Sequence, residues 1–244
     1  TTPSVPHALA GVVAGVVGLN NSAVRRTHAA RLAPHLARSI GTGPQGGLSP
    51  TDVKNIYGLS GTALTGAGQT IAVYEMDGYK PADVAQYQTY FGLGNVPVTP
   101  IPIDGFNEVP GVNSDEVTLD IELALSLAPG ARQVLVYESP NTDSGTLDAY
   151  SQMAEDNTAK VLSTSWGLDE PDTTASVLQA ENRAFQQMAA QGQTFFASAG
   201  DYGAYDTGSR LDGPTVDDPA SQPYVCGVGG TTLRVAQPGG PYMR

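Results

Sequence analysis

Strand-like apolar segments alternate with helix-like segments through most of this chain of 244 residues. The patterns of buried strands fall at 71–74, 98–103, 133–137, 160–165, 194–198 and 224–235. Helical patterns lie between them, at 81–91, 114–128, 144–157 and 174–191. Strands separated by helices of this length form parallel β-α-β units, and both faces of the sheet are then covered. The sequence therefore predicts an α/β fold built on a doubly wound, mostly parallel sheet.

Charge and histidine are unevenly distributed. The net charge of −12 argues against nucleic acid and against an anionic membrane surface as partners. The first 47 residues contain no acidic residue but hold all three histidines and four arginines: His7, His28, His35, Arg25, Arg26, Arg31 and Arg38. Histidine-dependent triads and histidine metal sites are thereby excluded from the rest of the chain. Proton chemistry there must use carboxylates, tyrosines or lysines.

A glycine-rich stretch at 41–47 has the composition of a linker. We place a boundary there, with residues 1–47 as a basic N-terminal segment and residues 48–244 as an acidic body. Opposite charges should attract the two parts to each other. An apolar stretch at 8–19 is too short to span a bilayer and is interpreted as packed protein. The single cysteine excludes an intrachain disulfide.

The helix predicted at 114–128 carries two carboxylates on its apolar side. A helical wheel assigns its solvated face to four polar residues: Asp115, Thr118, Glu122 and Ser126. Glu116 and Asp120 instead fall in line with Leu123 and Leu127, one helical turn apart. Two interpretations stay open. Either the helix end leaves the core and both acids are in water, or they form a proton-sharing dyad suited to general acid–base catalysis at low pH.

Other candidates follow the predicted strands. Ligands of parallel α/β sheets bind outside the carboxyl ends of the strands. Four side chains are expected at or just after those ends: Glu75, Glu138, Trp166 and Asp201.

Five sequence blocks, taken in order, resemble the sedolisin or kumamolisin-like serine-carboxyl peptidases. They are IAVYE at 71–75, DEVTLDIELALSLAPGA at 115–131, VLSTSWG at 161–167, SAGDYGA at 198–204 and VDDPASQPYVCGVGGTTL at 216–233. Residues 1–47 resemble the C-terminal end of the family's propeptide, so the resemblance covers nearly the whole chain. It implies a secreted protein with a subtilisin-like sheet, helices on both faces, and a fold that is incomplete in this chain. Residues 48–244 would be the N-terminal part of the catalytic domain.

The resemblance also implies catalytic roles. Glu116 would be the general base that takes the proton of a serine nucleophile, and Asp120 would orient it. Trp166 and Glu75 would form the outer part of the same hydrogen-bond network. Asp201, when protonated, would donate a hydrogen bond to the developing oxyanion, which implies activity at acidic pH.

Substrate contacts follow from the same resemblance. Ser165 and Gly167 would hold a substrate backbone in extended form by β-pairing. Asp217 matches a position that lines the specificity pocket in some members. Asp218 departs from the pattern, because other members carry an apolar residue there.

The motif that carries the family's nucleophile is absent from this chain. No Gly-Thr-Ser-x-x-x-Pro occurs, and Gly230, Thr231 and Thr232 match a structural part of the sheet instead. The family's calcium site also lies nearer its C-terminus, so calcium is expected on the missing segment and none on this chain. Either a second polypeptide completes the fold or the chain is a cleaved or truncated piece. We favour a nicked complex in which the partner is a C-terminal fragment of the same precursor.

The predicted function is peptide-bond hydrolysis through an acyl-enzyme, by an acid-acting serine-carboxyl endopeptidase that is inactive as this chain alone. Its substrates would be peptides or proteins. Because the serine motif is absent, a non-catalytic peptide-binding protein on the same scaffold stays open as an alternative. A carboxylate-based glycosidase is a third possibility, although two acids one helical turn apart do not flank a sugar bond from opposite sides.

Overall fold

The computed structural model describes residues 4–13, 15–19, 24–27, 41–207, 211, 213–235 and 242–243. His28, His35, Arg31 and Arg38 lie outside the described residues. The division of the chain at residue 47 stays a prediction.

Within the described residues the strands, in chain order, are β1 Arg26–Thr27, β2 Thr70–Glu75, β3 Val98–Pro102, β4 Gln133–Glu138, β5 Val161–Thr164, β6 Trp166–Asp169, β7 Thr194–Ser198, β8 Asp217–Asp218, β9 Val225–Val228, β10 Arg234–Val235 and β11 Tyr242–Met243. Six of them form the central sheet in the order β3-β4-β2-β5-β7-β9. Every neighbouring pair in this sheet is parallel. The predicted parallel α/β sheet is confirmed.

The helices are α1 Pro50–Ile56, α2 Pro81–Phe91, α3 Ser114–Leu127, α4 Asp143–Asp156 and α5 Ala175–Ala190. The last four match the predicted helices to within one residue at each end. Helix α1 was not predicted, although its start carries a recognisable signal. Ser49 and Asp52 form a reciprocal capping box around Pro50, which occupies the first turn.

Helices cover both faces of the sheet, as two adjacent residues of β2 show. The ring of Tyr74 contacts the ring of Tyr150 in α4, with centroids 4.9 Å apart. The next side chain, Glu75, interacts instead with Asp120 in α3. Since successive strand residues point to opposite faces, α3 and α4 lie on opposite sides of the sheet. Tyr150 also packs against Phe195 of β7, so the α4 side of the sheet has an aromatic core.

The face of helix α3 that is buried in the structure differs from the face that the amphipathic pattern predicts to be buried. Its most buried line, at 0 % exposure, is Val117, Ile121 and Leu125. Ser126, assigned to the solvated face, is fully buried and hydrogen-bonds the Tyr87 hydroxyl of α2 at 2.8 Å. The solvated-face prediction is therefore wrong for this residue, because α2 packs against that side of the helix. Three leucines that the wheel placed in the apolar arc are exposed: Leu119, Leu123 and Leu127.

A second, antiparallel sheet lies beside the main one, in the order β1-β6-β8. The chain passes from β5 to β6 across a single residue, Ser165, and there changes from the parallel sheet to the antiparallel one. Arg26 pairs with Gly167 and Thr27 with Trp166, while Asp169 pairs with Asp217 on the other side. The N-terminal segment is therefore joined to the body by backbone pairing at β6.

The apolar stretch near the N-terminus is not packed as predicted. Leu9, Val12 and Leu19 are all exposed in its described part. No helix in the described ranges is both long and apolar enough to cross a membrane.

Candidate active site

Three elements bring carboxylates together at the carboxyl edge of the central sheet. Glu75 is the last residue of β2, and Ser165 directly follows β5. Helix α3 starts downstream of the carboxyl end of β3, so its first two turns place Glu116 and Asp120 at this edge. Trp166 begins β6 beside them. Direct contacts join four of the predicted site residues: Glu75, Asp120, Ser165 and Trp166.

Glu75 is fully buried at the centre of this group. Its Oε2 accepts a hydrogen bond of 2.8 Å from the indole Nε1 of Trp166. Burial raises the pKa of Glu75 well above its ordinary value, and the negative charges of Asp120 and Glu116 raise it further, against the opposing effect of the Trp166 bond. Glu75 is therefore the group in this cluster that keeps its proton.

Asp120 accepts hydrogen bonds on both carboxylate oxygens from the Ser165 hydroxyl, at 2.9 and 2.7 Å. Burial raises its pKa to about 6, while the hydrogen bonds from Ser165 and Glu75 favour the ionised form. Where Asp120 is ionised, a protonated Glu75 donates a hydrogen bond to it. The resulting network runs from Trp166 through Glu75 to Asp120, with Ser165 on the far side.

Glu116 is buried, with 7 % of its surface exposed, one turn before Asp120 on α3. Its charge contributes to the raised pKa of Glu75, so it lies within electrostatic reach of the network. The interpretation that put both acids of the helix in water is wrong. Both are held at the edge of the core, where a carboxylate can exchange a proton without competition from bulk water.

Stability should fall as the pH rises through the range in which this cluster loses its protons. Folding raises the pKa of Asp120 from 3.8 to about 6, so the native state binds more protons than the unfolded chain between those values. The stabilisation is complete below about pH 4 and is lost above about pH 6. As the pH rises through this range, we expect the free energy of unfolding of Asp120→Asn to fall less than that of the wild type, by on the order of 1–3 kcal/mol.

Urea unfolding of the full-length protein between about pH 3.5 and 7.5 measures the effect. Asp115→Asn, at the exposed neighbour of Glu116, should leave the pH dependence as in the wild type. The prediction is wrong if the free energy of unfolding of Asp120→Asn changes with pH as much as that of the wild type does.

Asp201 lies in the loop after β7, at the same edge of the sheet, and its side chain is exposed. Its predicted role as an oxyanion donor stays a prediction.

The predicted substrate-binding residues lie along β6 and β8. Gly167 has no room for a side chain, since a Cβ there would lie 1.9 Å from Oδ1 of Asp217. Asp217 is buried and lines a cavity of about 540 Å³ together with Glu170, Ala199 and Thr215. Its role in a specificity pocket stays a prediction.

Glu138, the fourth residue expected at a strand end, is the last residue of β4 and is fully buried. Burial raises its pKa to about 7, and the charges of Glu108 and Asp77 add to the shift. It stands beside Glu75 in the parallel register of the sheet. In the parts of the chain that the structure describes, no group of three or more histidine, cysteine, aspartate or glutamate side chains is placed to hold a metal ion.

Sequence reasoning missed one cluster of charged residues altogether. Arg25 is buried and forms ion pairs with three acidic side chains from separate elements: Asp143, Glu181 and Asp218. These residues are distant in sequence and share no motif, so no local signal identifies them. The one hint was Asp218, a charged residue where the resemblance leads one to expect an apolar one.

Comparisons with known proteins agree with this geometry. A sequence model of the subtilase family matches residues 113–237, just over half of the chain. Kumamolisin of Bacillus sp. (strain MN-32) is 38% identical over 242 residues, which cover 94% of this chain and 43% of that protein. Sedolisin of Pseudomonas sp. (strain 101) is 36% identical over 264 residues, covering 98% of this chain and 43% of that protein.

A solved structure shows the same arrangement of elements. Pseudomonas sedolisin, described as a serine-carboxyl proteinase complexed with two molecules of pseudo-iodotyrostatin, superposes with a TM-score of 0.69 at 33% identity. The match covers 77% of this chain and 54% of that one. The chain thus spans less than half the length of the two curated relatives and about half of the solved structure.

Proposed function

Because the chain belongs to the subtilase family as a sedolisin-like member, we propose that it supplies the N-terminal part of the catalytic domain of an acid-acting serine-carboxyl endopeptidase. The observation that carries the proposal is the buried network of Trp166, Glu75 and Asp120 beside Glu116. Residues 48–244 contain no histidine, so proton chemistry contributed by this part of the protein must use carboxylates, tyrosines or lysines, and the buried network consists of carboxylates.

Glu116 is the proposed general base. In the first step it takes the proton of the serine hydroxyl as the serine oxygen bonds to the carbonyl carbon of the peptide. It then gives this proton to the leaving amine nitrogen as the C–N bond breaks, and water hydrolyses the resulting ester by the same route. Asp120, one helical turn from Glu116, is proposed to hold it in position. A hydrogen bond from the protonated Glu75 limits the charge that accumulates at Asp120.

Asp201 is the proposed oxyanion donor. Only its protonated form can donate a hydrogen bond to the developing negative charge on the carbonyl oxygen. This requirement favours acidic pH, which also favours the protonated state of Glu75.

Peptide and protein substrates are proposed to bind along β6. The backbone pairing of Arg26 with Gly167 supports this, because it shows that β6 accepts an extended segment of chain in antiparallel register. The proposed substrate contacts are Ser165, immediately before β6, Gly167 within it, and Asp217 in the adjoining cavity.

The serine nucleophile is proposed to lie in the remaining length of the protein, on a C-terminal segment that stays associated with this chain. Calcium, implied by the resemblance, is proposed for the same segment. Secretion is proposed on the resemblance alone.

Hydrolysis by the full-length protein tests the proposal. We expect cleavage of casein at about pH 3–5 and little at pH 7, because the proposed oxyanion donor acts only when it carries a proton. Pseudo-iodotyrostatin, which the sedolisin structure contains, should inhibit this cleavage. Peptide binding with no hydrolysis at any pH contradicts the proposal and favours the non-catalytic peptide-binding protein.

A further inference from the structure

Arg25 of the N-terminal segment enters a buried pocket lined by carboxyl groups. Its Nη2 lies 2.6 Å from Oε1 of Glu181 and 3.9 Å from Oδ2 of Asp218. Its Nη1 lies 3.4 Å from Oδ1 of Asp143. Asp143 belongs to α4, Glu181 to α5 and Asp218 to β8. We call these three acids the guanidinium pocket.

The guanidinium pocket places three acidic side chains around a single guanidinium group. Glu181 and Asp218 are both fully buried and interact directly with each other. Burial raises the pKa of Glu181 well above its ordinary value and Asp218 adds to this, while the Arg25 cation opposes it. Buried acids without a cation are strongly unfavourable. The pocket therefore favours a cationic occupant whichever chain supplies it.

The backbone around Arg25 is held by contacts that any peptide could make. Asn141 accepts from the Arg25 backbone N–H at 3.0 Å and donates to its carbonyl at 2.8 Å. The next residue, Arg26, pairs with Gly167 on β6. These bonds recognise an extended main chain and are independent of side-chain identity. Together with the guanidinium pocket they form a complete site for one residue of an extended peptide.

We propose that the guanidinium pocket is a specificity subsite that selects an arginine side chain in peptide substrates, and that Arg25 fills it here in the manner of a substrate. The proposal rests on the proposed peptidase function and adds the substrate class. The selected arginine is the residue immediately N-terminal to the one that pairs with Gly167.

One feature of the pocket favours arginine over lysine at this position. Both terminal nitrogens of Arg25 contact acids, on different elements, which a planar fork can do and a single ammonium cannot. Arg26 provides the contrast, since its side chain is 57% exposed and, among the residues that the structure describes, pairs with Asp169 at 3.1 Å. Exposed ion pairs contribute little. Selectivity should therefore be strong at the Arg25 position and weak at the next.

Peptide binding tests the proposal. The full-length protein with Arg25→Ala, whose own segment has lost its ion pairs in the guanidinium pocket and is more readily displaced from β6, is titrated with a fluorescent peptide of the sequence of residues 23–27. A second peptide carries citrulline, a neutral analogue of the same shape, in place of the first arginine. We expect the arginine peptide to bind about tenfold tighter or more than the citrulline peptide, because the neutral citrulline side chain cannot form the charge-assisted hydrogen bonds. Adding Glu181→Gln and Asp218→Asn should remove the difference.

The matched control is Glu155→Gln, at an exposed acid of α4, which should preserve the preference. Equal affinities for the two peptides overturn the proposal. Should Arg25→Ala fail to fold, the wild-type full-length protein is assayed on both peptides extended to allow cleavage. There we expect about tenfold higher kcat/KM for arginine, and equal values overturn the proposal. If the folded protein hydrolyses no peptide at all, the proposed peptidase function is wrong. The comparison of the two peptide affinities still tests whether the guanidinium pocket selects arginine.

Discussion

Replacing Glu116 by glutamine in the full-length protein is expected to lower kcat for peptide hydrolysis by about 10²–10⁴. Glutamine keeps the shape and the burial of the side chain but cannot accept the serine proton. The substrate-binding residues along β6 are untouched, so KM should change little. A loss confined to kcat is the result expected when an interaction is made only in the transition state.

The matched control for this substitution is Asp115→Asn, on the same turn of α3 but with an exposed side chain. It should retain the wild-type kcat. Thermal unfolding of both variants shows whether they fold. Undiminished hydrolysis by a folded Glu116→Gln protein at about pH 3–5 removes Glu116 as the base.

Replacing Asp201 by alanine should cost about 10²–10³ in kcat, because one donor to the oxyanion is lost. The side chain is exposed, so this variant should fold like the wild type. Initial rates on a fluorogenic peptide measure the effect. A kcat within twofold of the wild type contradicts the assignment.

Asp201→Asn separates the donor role from the charge. An amide N–H donates at any pH, whereas a carboxyl donates only when protonated. The asparagine variant should therefore be more active than the alanine variant and should keep its activity to higher pH than the wild type does. Asp172→Asn, at an exposed loop acid, is the control that should leave the pH profile unchanged.

Local patterns were sufficient to predict most of the fold. Helix α2 was predicted to the residue, and α3, α4 and α5 nearly so, because 3.6-residue periodicity and helix-end signals are local properties. The same periodicity misassigned Ser126 on α3. A wheel shows which residues share a face, but it does not show that a second helix will cover the polar face, as α2 does here.

The candidate site was predicted in part for the same reason. Glu116 and Asp120 stood out because carboxylates at apolar positions conflict with a simple amphipathic helix. Glu75 and Trp166 were expected at strand ends. Their hydrogen bond, between residues 91 positions apart, follows from the order of β2 and β5 in the sheet.

The amino-acid sequence by itself determined the alternation of strands and helices, and it excluded histidine from the chemistry of the body. Only the tertiary structure decided which distant side chains meet. The proton shared by Glu75 and Asp120 and the pairing of Arg25 with Glu181, 156 residues away, both depend on sheet order and strand register. Local periodicity determines which way a side chain faces. Its partner is determined by long-range packing, because the local sequence of one element does not specify which other element will pack against it.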